Sequence, residues 1–461
     1  MYERPTLVTE GIIRLKRNLT KKPPLRLPTQ YLESHPFIRS GLANDAFLEL
    51  PQHSFHDNEL NGPPAPQDIE RSIAPPDGVK NADKPFIKGL VEKTEWKPIP
   101  FIRKDYKSPT SFGYGIEETL AATEQTEEFK HVFRSLESEI GKYMVGHEHL
   151  IRSVLIAIFA EGHVIIEGFP GTGKTQLINT IADAIDLTFR RISFAPDLVP
   201  QDITGSEILI ENKDTGERIF KFREGPVFTN LLLADEINRG HPRVHSALLE
   251  AMQERKVTFS NVEHPLPRPF FVLATMNPLE QDATYALPEA QQDRFLFKLL
   301  ANYTNPAEDM EILNRTTGAQ IPIVKNVCDG ETVMRLSRLA REVPIAKPVQ
   351  AYAIRLVHAT RPNGDYLPVS DIAKACIRVG ASPRAEQAMV IAGKVRALAE
   401  GRLNVSFEDI DKVASDVLRH RLIFTFDAQE LHPDSIIHAI MNSVNPYDNY
   451  DPAIFELNKK E

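Results

Sequence analysis

Apolar residues recur at helical spacing through Phe129, Val132, Phe133, Leu136, Ile140, Tyr143 and Met144, and again through Leu150, Val154, Leu155 and Ile158. The step at Val145-Gly146 interrupts the stripe and predicts two helices rather than one. A short apolar run at 164–167 reads as a buried strand. Further strands are predicted at 191–194, 230–234, 270–275 and 295–299, with helices between several of them, at 174–185 and 243–255. Strands alternating with helices predict an α/β domain around a largely parallel sheet. Beyond residue 300 the strand signal fades, and 306–315, 331–342, 349–360, 369–378, 384–400 and 407–419 read as helices of a smaller all-α domain. Two polar insertions read as β-hairpins: alternating runs at 206–210 and 218–222 around Asp214-Thr215-Gly216, and a second through Asn261 within 257–269.

The N-terminal quarter is different. Residues 1–110 hold 15 of the 35 prolines, including Pro-Pro at 23–24, 63–64 and 75–76. Such spacing prevents long helices and central strands. The segment also carries Phe37, Phe47, Phe55, Phe86, Trp96, Phe101 and Tyr106, so it reads either as an extended arm, partly docked, or as a linker. The expected organisation is a Pro-rich extension at 1–116, an α/β core at 117–301, a helical domain at 302–430 and a tail at 431–461.

With 461 residues, 42% apolar and 25% charged, the chain has the make-up of a soluble globular protein. Cys328 and Cys376 stand in no CxxC pattern, which excludes a disulfide framework and a cysteine-rich zinc site. No apolar run approaches the ~18 residues a membrane span needs, and the start shows no signal-peptide apolar region. A cytoplasmic protein without membrane insertion is expected. The net charge of −9 is unevenly spread: 17 Lys/Arg face 14 Asp/Glu in residues 1–110, against 37 and 49 in the remainder. An acidic body disfavours nucleic acid as the partner.

Directly after the 164–167 strand comes Gly168-Phe169-Pro170-Gly171-Thr172-Gly173-Lys174-Thr175, a match to G-x-x-x-x-G-K-[ST]. Roughly 0.02 such matches are expected by chance in a chain this long. Glycines let backbone N–H groups turn inward around phosphate oxygens, and the helix that follows presents its positive end to the anion. In this setting Lys174 reaches the β- and γ-phosphates of ATP and the Thr175 hydroxyl ligates Mg²⁺. Sixty residues on, an apolar strand ends in Asp235-Glu236. In phosphate-loop proteins such a strand lies beside the loop strand and brings its Asp to the Mg²⁺ shell, while Glu236 can orient and deprotonate a water. Asn277, at the end of another buried strand, reads equally as a residue that holds the attacking water and as an ordinary turn residue before Pro278.

These residues resemble the AAA+ ATPases, and within them the MoxR family, over about residues 126–426. The motifs that carry the resemblance are Glu161-Gly-His-Val-Ile-Ile-Glu-Gly168, Phe194-Ala-Pro-Asp-Leu-Val-Pro-Gln-Asp-Ile-Thr-Gly205, Asp235-Glu-Ile-Asn-Arg239 and Ala247-Leu-Leu-Glu-Ala-Met-Gln-Glu-Arg255. Pro265 through Pro278, Leu287-Pro-Glu-Ala-Gln-Gln-Asp-Arg-Phe295, Gly380-Ala-Ser-Pro-Arg384 and Val417-Leu-Arg-His-Arg421 complete them. Gly173-Lys174-Thr175, the more general AAA+ form, stands where many MoxR members have Ala-Lys-Thr. The resemblance implies a phosphate-loop core followed by an α-helical lid. It implies that Asn277 is a first sensor, that Arg294 is an arginine finger serving a neighbouring subunit, and that Arg384 is a second sensor reaching the nucleotide of its own subunit. Val145 and Gly146 would lie near the adenine, with Gln176 beside the loop. Arg239 would bridge subunits, and Arg419 and Arg421 read equally as motif residues and as solvated helix charges. A homo-hexamer doing chaperone-like work on a client protein is implied, with a separate von Willebrand factor A domain protein as a common partner. The rivals are a nucleic-acid-dependent motor and a nucleotide-gated scaffold.

Overall fold

A computed structural model describes residues 116–455, apart from 170, 212–217, 279–286, 319–321, 365–366, 429–430 and 449–450. The predicted arm, its aromatic residues, the Asp214-Thr215-Gly216 turn and Pro170 lie outside the described residues. The described part belongs to one unit, Lys104–Glu461.

The two N-terminal helices form where the apolar stripe predicts them: α1 (Ile116–Gly141) and α2 (Glu148–Phe159), broken at Gly146, whose φ is +75°. Phe129 and Phe133 of α1 pack with Phe159 of α2, ring centroids 5.0 and 5.9 Å from it. The core then runs β1 (Val164–Gly168), α3 (Lys174–Ile185), β2 (Phe189–Ser193), α4 (Pro200–Thr204), the hairpin β3 (Gly205–Glu211) and β4 (Arg218–Glu224), and β5 (Leu231–Asp235). It continues through α5 (Pro242–Glu254), the hairpin β6 (Lys256–Phe259) and β7 (Val262–Pro265), β8 (Phe271–Met276), α6 (Glu289–Gln292) and β9 (Phe297–Ala301). The five-stranded sheet has the order β2-β5-β8-β1-β9, with every pairing parallel. Val164, Ile165 and Ile166, Leu231 to Ala234, and Val272 to Ala274 are wholly buried, as expected of strands covered on both faces. β8 therefore lies between β5 and β1, so the strand ending in Asp235 is not the immediate neighbour of the loop strand. Both strands and β8 nonetheless end at the same edge, where ligands bind in open α/β sheets.

The lid comprises α7 (Pro306–Thr317), α8 (Gly330–Glu342), α9 (Lys347–Ala359), α10 (Asp371–Cys376), β10 (Ile377–Val379), α11 (Pro383–Ala399), α12 (Phe407–Leu418), β11 (Ile423–Phe424), α13 (Pro433–Ser443) and α14 (Pro452–Phe455). The helix expected at 369–378 stops at Cys376. Its β-branched end, Ile377 to Val379, pairs antiparallel with β11 instead. The 431–461 stretch, for which no element is predicted, contains α13, which buries Ile436, Ile437 and Ile440 against α9, α10 and α12. Among the described residues no helix is long and apolar enough to cross a membrane.

Candidate functional site

β1 delivers the chain into the glycine loop at the C-terminal edge of the sheet. Gly171 and Gly173 have φ of +83° and +77°, a region that L side chains rarely adopt. Gly173 is the N-cap of α3, so the amides of Lys174, Thr175 and Gln176 in the first turn are open to an anion. The Lys174 ammonium folds over the loop, donating to the carbonyl oxygens of Gly168 and Phe169 at 2.7 Å each. Burial lowers its pKa, and the charges of Asp235 and Glu236 oppose that shift. The loop lysine and the two carboxylates thus share one electrostatic environment. Thr172 closes the loop by donating to the Phe169 carbonyl at 2.9 Å. Val145 and Gly146 flank the same place. A Cβ at Gly173 would meet Met144 Cε at 3.3 Å, and one at Gly146 would meet Glu308 and Thr304. Phe169 stacks on Tyr303 with centroids 4.9 Å apart.

The carboxylates are set by a residue that sequence reading passed over. The buried Thr275 hydroxyl of β8 donates to Asp235 Oδ1 at 2.6 Å and accepts from the Glu236 N–H at 2.8 Å. Glu236 is held at φ +54°, an unusual conformation for a non-glycine residue, which turns its side chain out of the strand direction. Glu236 Oε2 accepts from Arg239 at 2.7 Å, so Arg239 has an ionic partner within its own chain. Asp235 Oδ2 accepts from Nε and Nη2 of Arg191 on β2, at 3.1 and 2.5 Å. Asn277 follows β8, on the strand between those that deliver Lys174 and Asp235. The hard oxygens of Thr175 and Asp235 suit Mg²⁺, which takes few protein ligands and completes its shell with phosphate and water. Among the described residues no group of three or more His, Cys, Asp or Glu could hold a metal ion.

Arg294 and Arg384 lie elsewhere. Arg294 precedes β9, whose Phe297 pairs with Val164 at the start of β1, whereas the loop follows the end of β1 at Gly168. Four strand steps, about 13 Å, separate those levels. Arg294 is exposed and borders a groove with Ser246, Glu250 and Gln253 of α5. Arg384 stands in the first turn of α11, whose N-cap Ser382 donates to Asp293 Oδ2 at 2.9 Å. The structure therefore places Arg384 beside Arg294, at the opposite end of the sheet from Lys174. The lid packs the start of α11 against the N-terminal end of β9, whereas the resemblance implies that Arg384 reaches the nucleotide of its own subunit. Arg419 and Arg421 are not solvated. Arg419 pairs with Asp434 and Asp416 and donates to the Lys298 carbonyl, and the Arg421 side chain is 3% exposed.

Two family profiles match: residues 163–297 fit the ATPase family associated with various cellular activities, and 369–440 fit the AAA lid domain. Among curated proteins the chain is 41% identical to chaperone MoxR1 of Mycobacterium tuberculosis, over 66% of this chain and 80% of that one. It is 37% identical to the uncharacterized protein YeaC of Bacillus subtilis, over 66% and 92%. It is 32% identical to protein MoxR of Methylorubrum extorquens, over 67% and 93%. The crystal structure of a candidate ATPase from Cytophaga hutchinsonii superposes with a TM-score of 0.65 at 38% identity, covering 72% of this chain and 99% of that one. Glycine loop, paired carboxylates, helical lid and these relatives agree: the chain belongs to the MoxR family of AAA+ ATPases.

Proposed function

We propose that this chain binds and hydrolyses ATP in a homo-hexameric ring and couples hydrolysis to the remodelling of a client protein. A separate von Willebrand factor A domain protein is its expected partner, and nucleic acid is not. The backbone N–H groups of the loop from Gly168 to Gly173, to which Pro170 contributes none, and the Lys174 ammonium hold the phosphates. Val145 and Gly146 border the adenine. Thr175 and Asp235 hold Mg²⁺, which when bound offsets the charge of the phosphate oxygens. Glu236 accepts the proton of a water that Asn277 orients. As the water oxygen bonds to the γ-phosphorus, the bond to the bridging oxygen breaks, and ADP and inorganic phosphate leave. Arg294 and Arg384, facing away from their own loop, stabilise the charge that develops in an adjacent subunit.

The observation that carries this reading is the convergence of the glycine loop with Lys174 and of the Asp235-Glu236 strand end at one edge of the parallel sheet. MoxR1 is named a chaperone, which supports client remodelling as the output. The test is Glu236→Gln in the full chain. ATP binding is expected to stay within about twofold of wild type while phosphate release falls by about 10² or more, the usual span for losing a general base. Normal turnover by this variant would remove Glu236 as the base.

A further inference from the structure

Asp293 stands next to Arg294 in the chain and takes a lid contact on each carboxylate oxygen. Oδ1 accepts from Arg421 Nε at 2.8 Å, and Oδ2 accepts from Ser382 Oγ at 2.9 Å. Ser382 caps α11 and accepts the Arg384 N–H at 3.2 Å. One carboxylate thus joins the residue before the proposed finger to the turn that carries Arg384.

Behind it, Arg421 is fully committed. Its remaining donors go to the carbonyl oxygens of Val417 and Leu296, at 2.5 and 3.1 Å, and of Asp293 and Phe295, at 3.3 and 2.6 Å. All five N–H groups of that guanidinium are used. Burial pulls its pKa down to about 10, opposed by Asp293, and the positive charge of Arg384 contributes to the lowering. His420 adds a bond to the Phe295 carbonyl at 3.0 Å. By contrast, the guanidiniums of Arg294 and Arg384 are exposed and make no hydrogen bond or ion pair among the described residues. A saturated, buried cation holds the backbone, and the two other cations are exposed.

We propose that Asp293 is a positioning residue that fixes Arg294 and Arg384 at one spacing, so that both meet the triphosphate of a neighbouring subunit as a single unit. Ser382 supplies the lid half of the tie and Arg421 the buried anchor. The proposal rests on the ATPase reading above. It adds that the lid is required for the donation of Arg294. Misplacing such a group by about 1 Å is enough to cost about 10² in rate.

The test uses full-length subunits that cannot hydrolyse, Glu236→Gln, mixed in excess with wild-type subunits, so that turnover comes from wild-type sites facing donated arginines. The donors carry in addition Ser382→Ala, which removes donor and cap, or Ser382→Asp, which keeps a capping oxygen and sets a like charge against Asp293. Both are expected to lower turnover per wild-type subunit about tenfold relative to Glu236→Gln alone, with KM for ATP within twofold. Ser382→Thr donors, which keep the hydroxyl, are expected to restore it. Thermal melts of each donor check that it is folded. Turnover with both the Ala and the Asp donors equal to that with Glu236→Gln donors alone overturns the proposal. A loss with Ala alone assigns the effect to the helix cap and overturns it too. Absence of turnover in unmixed wild-type protein is the separate result that removes the ATPase reading, and this proposal with it.

Discussion

The Arg191 guanidinium, one strand away, grips Oδ2 of Asp235 through two N–H groups, at 3.1 and 2.5 Å. Arg191 thus competes with a metal ion for the carboxylate assigned to Mg²⁺. Its side chain is half exposed, so the pair adds little to stability, on the order of 1 kcal/mol or less. Arg191→Ala is expected to lower the Mg²⁺ concentration needed for half-maximal nucleotide binding severalfold, and to leave the melting temperature nearly unchanged. Titration of a fluorescent ATP analogue against Mg²⁺ measures this. A higher Mg²⁺ requirement would show that Arg191 orients Asp235 rather than competing for it.

Thr275 serves both acids through one hydroxyl. Thr275→Val keeps the shape but leaves the N–H of Glu236 without its partner, at a cost of about 1–3 kcal/mol. It also releases Asp235 Oδ1. Turnover is expected to fall at least tenfold, with Thr275→Ser close to wild type. Steady-state phosphate release from the three proteins decides this, and full activity of the valine variant would contradict it.

Acid is expected to destabilise the core before it reaches the carboxylates. His163 is buried. Its Nδ1 accepts from the Val272 N–H at 3.0 Å, and its Nε2 faces the Met252 carbonyl at 3.3 Å, so Nε2 carries the proton of the neutral ring. Burial pushes its pKa down to about 4, and His420 is likewise held well below its ordinary value. In the unfolded chain a histidine titrates near ~6.5, so on acidification the unfolded state takes up the proton first. Stability is then present above that pH and lost as it falls toward 4, by about 3 kcal/mol from His163 alone. Melting temperatures measured from pH 7.5 to 5 are expected to decline, and less steeply for His163→Gln. A flat profile for wild type would contradict the buried neutral ring.

Much of this site was legible in the sequence because its parts are local. The glycine loop needs only consecutive residues, and the sequence places α3 on the residues where it forms, Lys174–Ile185. The strand ends at Asp235 and Asn277 announce themselves by apolar runs. Thr275, Arg191 and Asp293 were not legible, since each acts through a partner far along the chain that only strand order brings near. Arg421 shows the same limit. The sequence leaves it even between a motif residue and a solvated helix charge, and only the packing of α12 against the start of β9 buries it. The side of the molecule on which Arg384 lies is likewise a property of lid placement, which periodicity does not encode. The short pairing of β10 with β11 was masked because three residues carry too little pattern to separate a strand from a helix end.

The most direct measurement mixes two inactive proteins. Lys174→Ala subunits lose the loop cation but keep Arg294, and Arg294→Ala subunits keep the loop but lose the guanidinium. Each alone is expected to release little phosphate. Because Arg294 lies at the end of the sheet remote from its own loop, mixed rings place intact loops against intact guanidiniums, and part of the wild-type turnover is expected to return. Mixed protein as inactive as either parent would contradict action across a subunit boundary, and with it the central account.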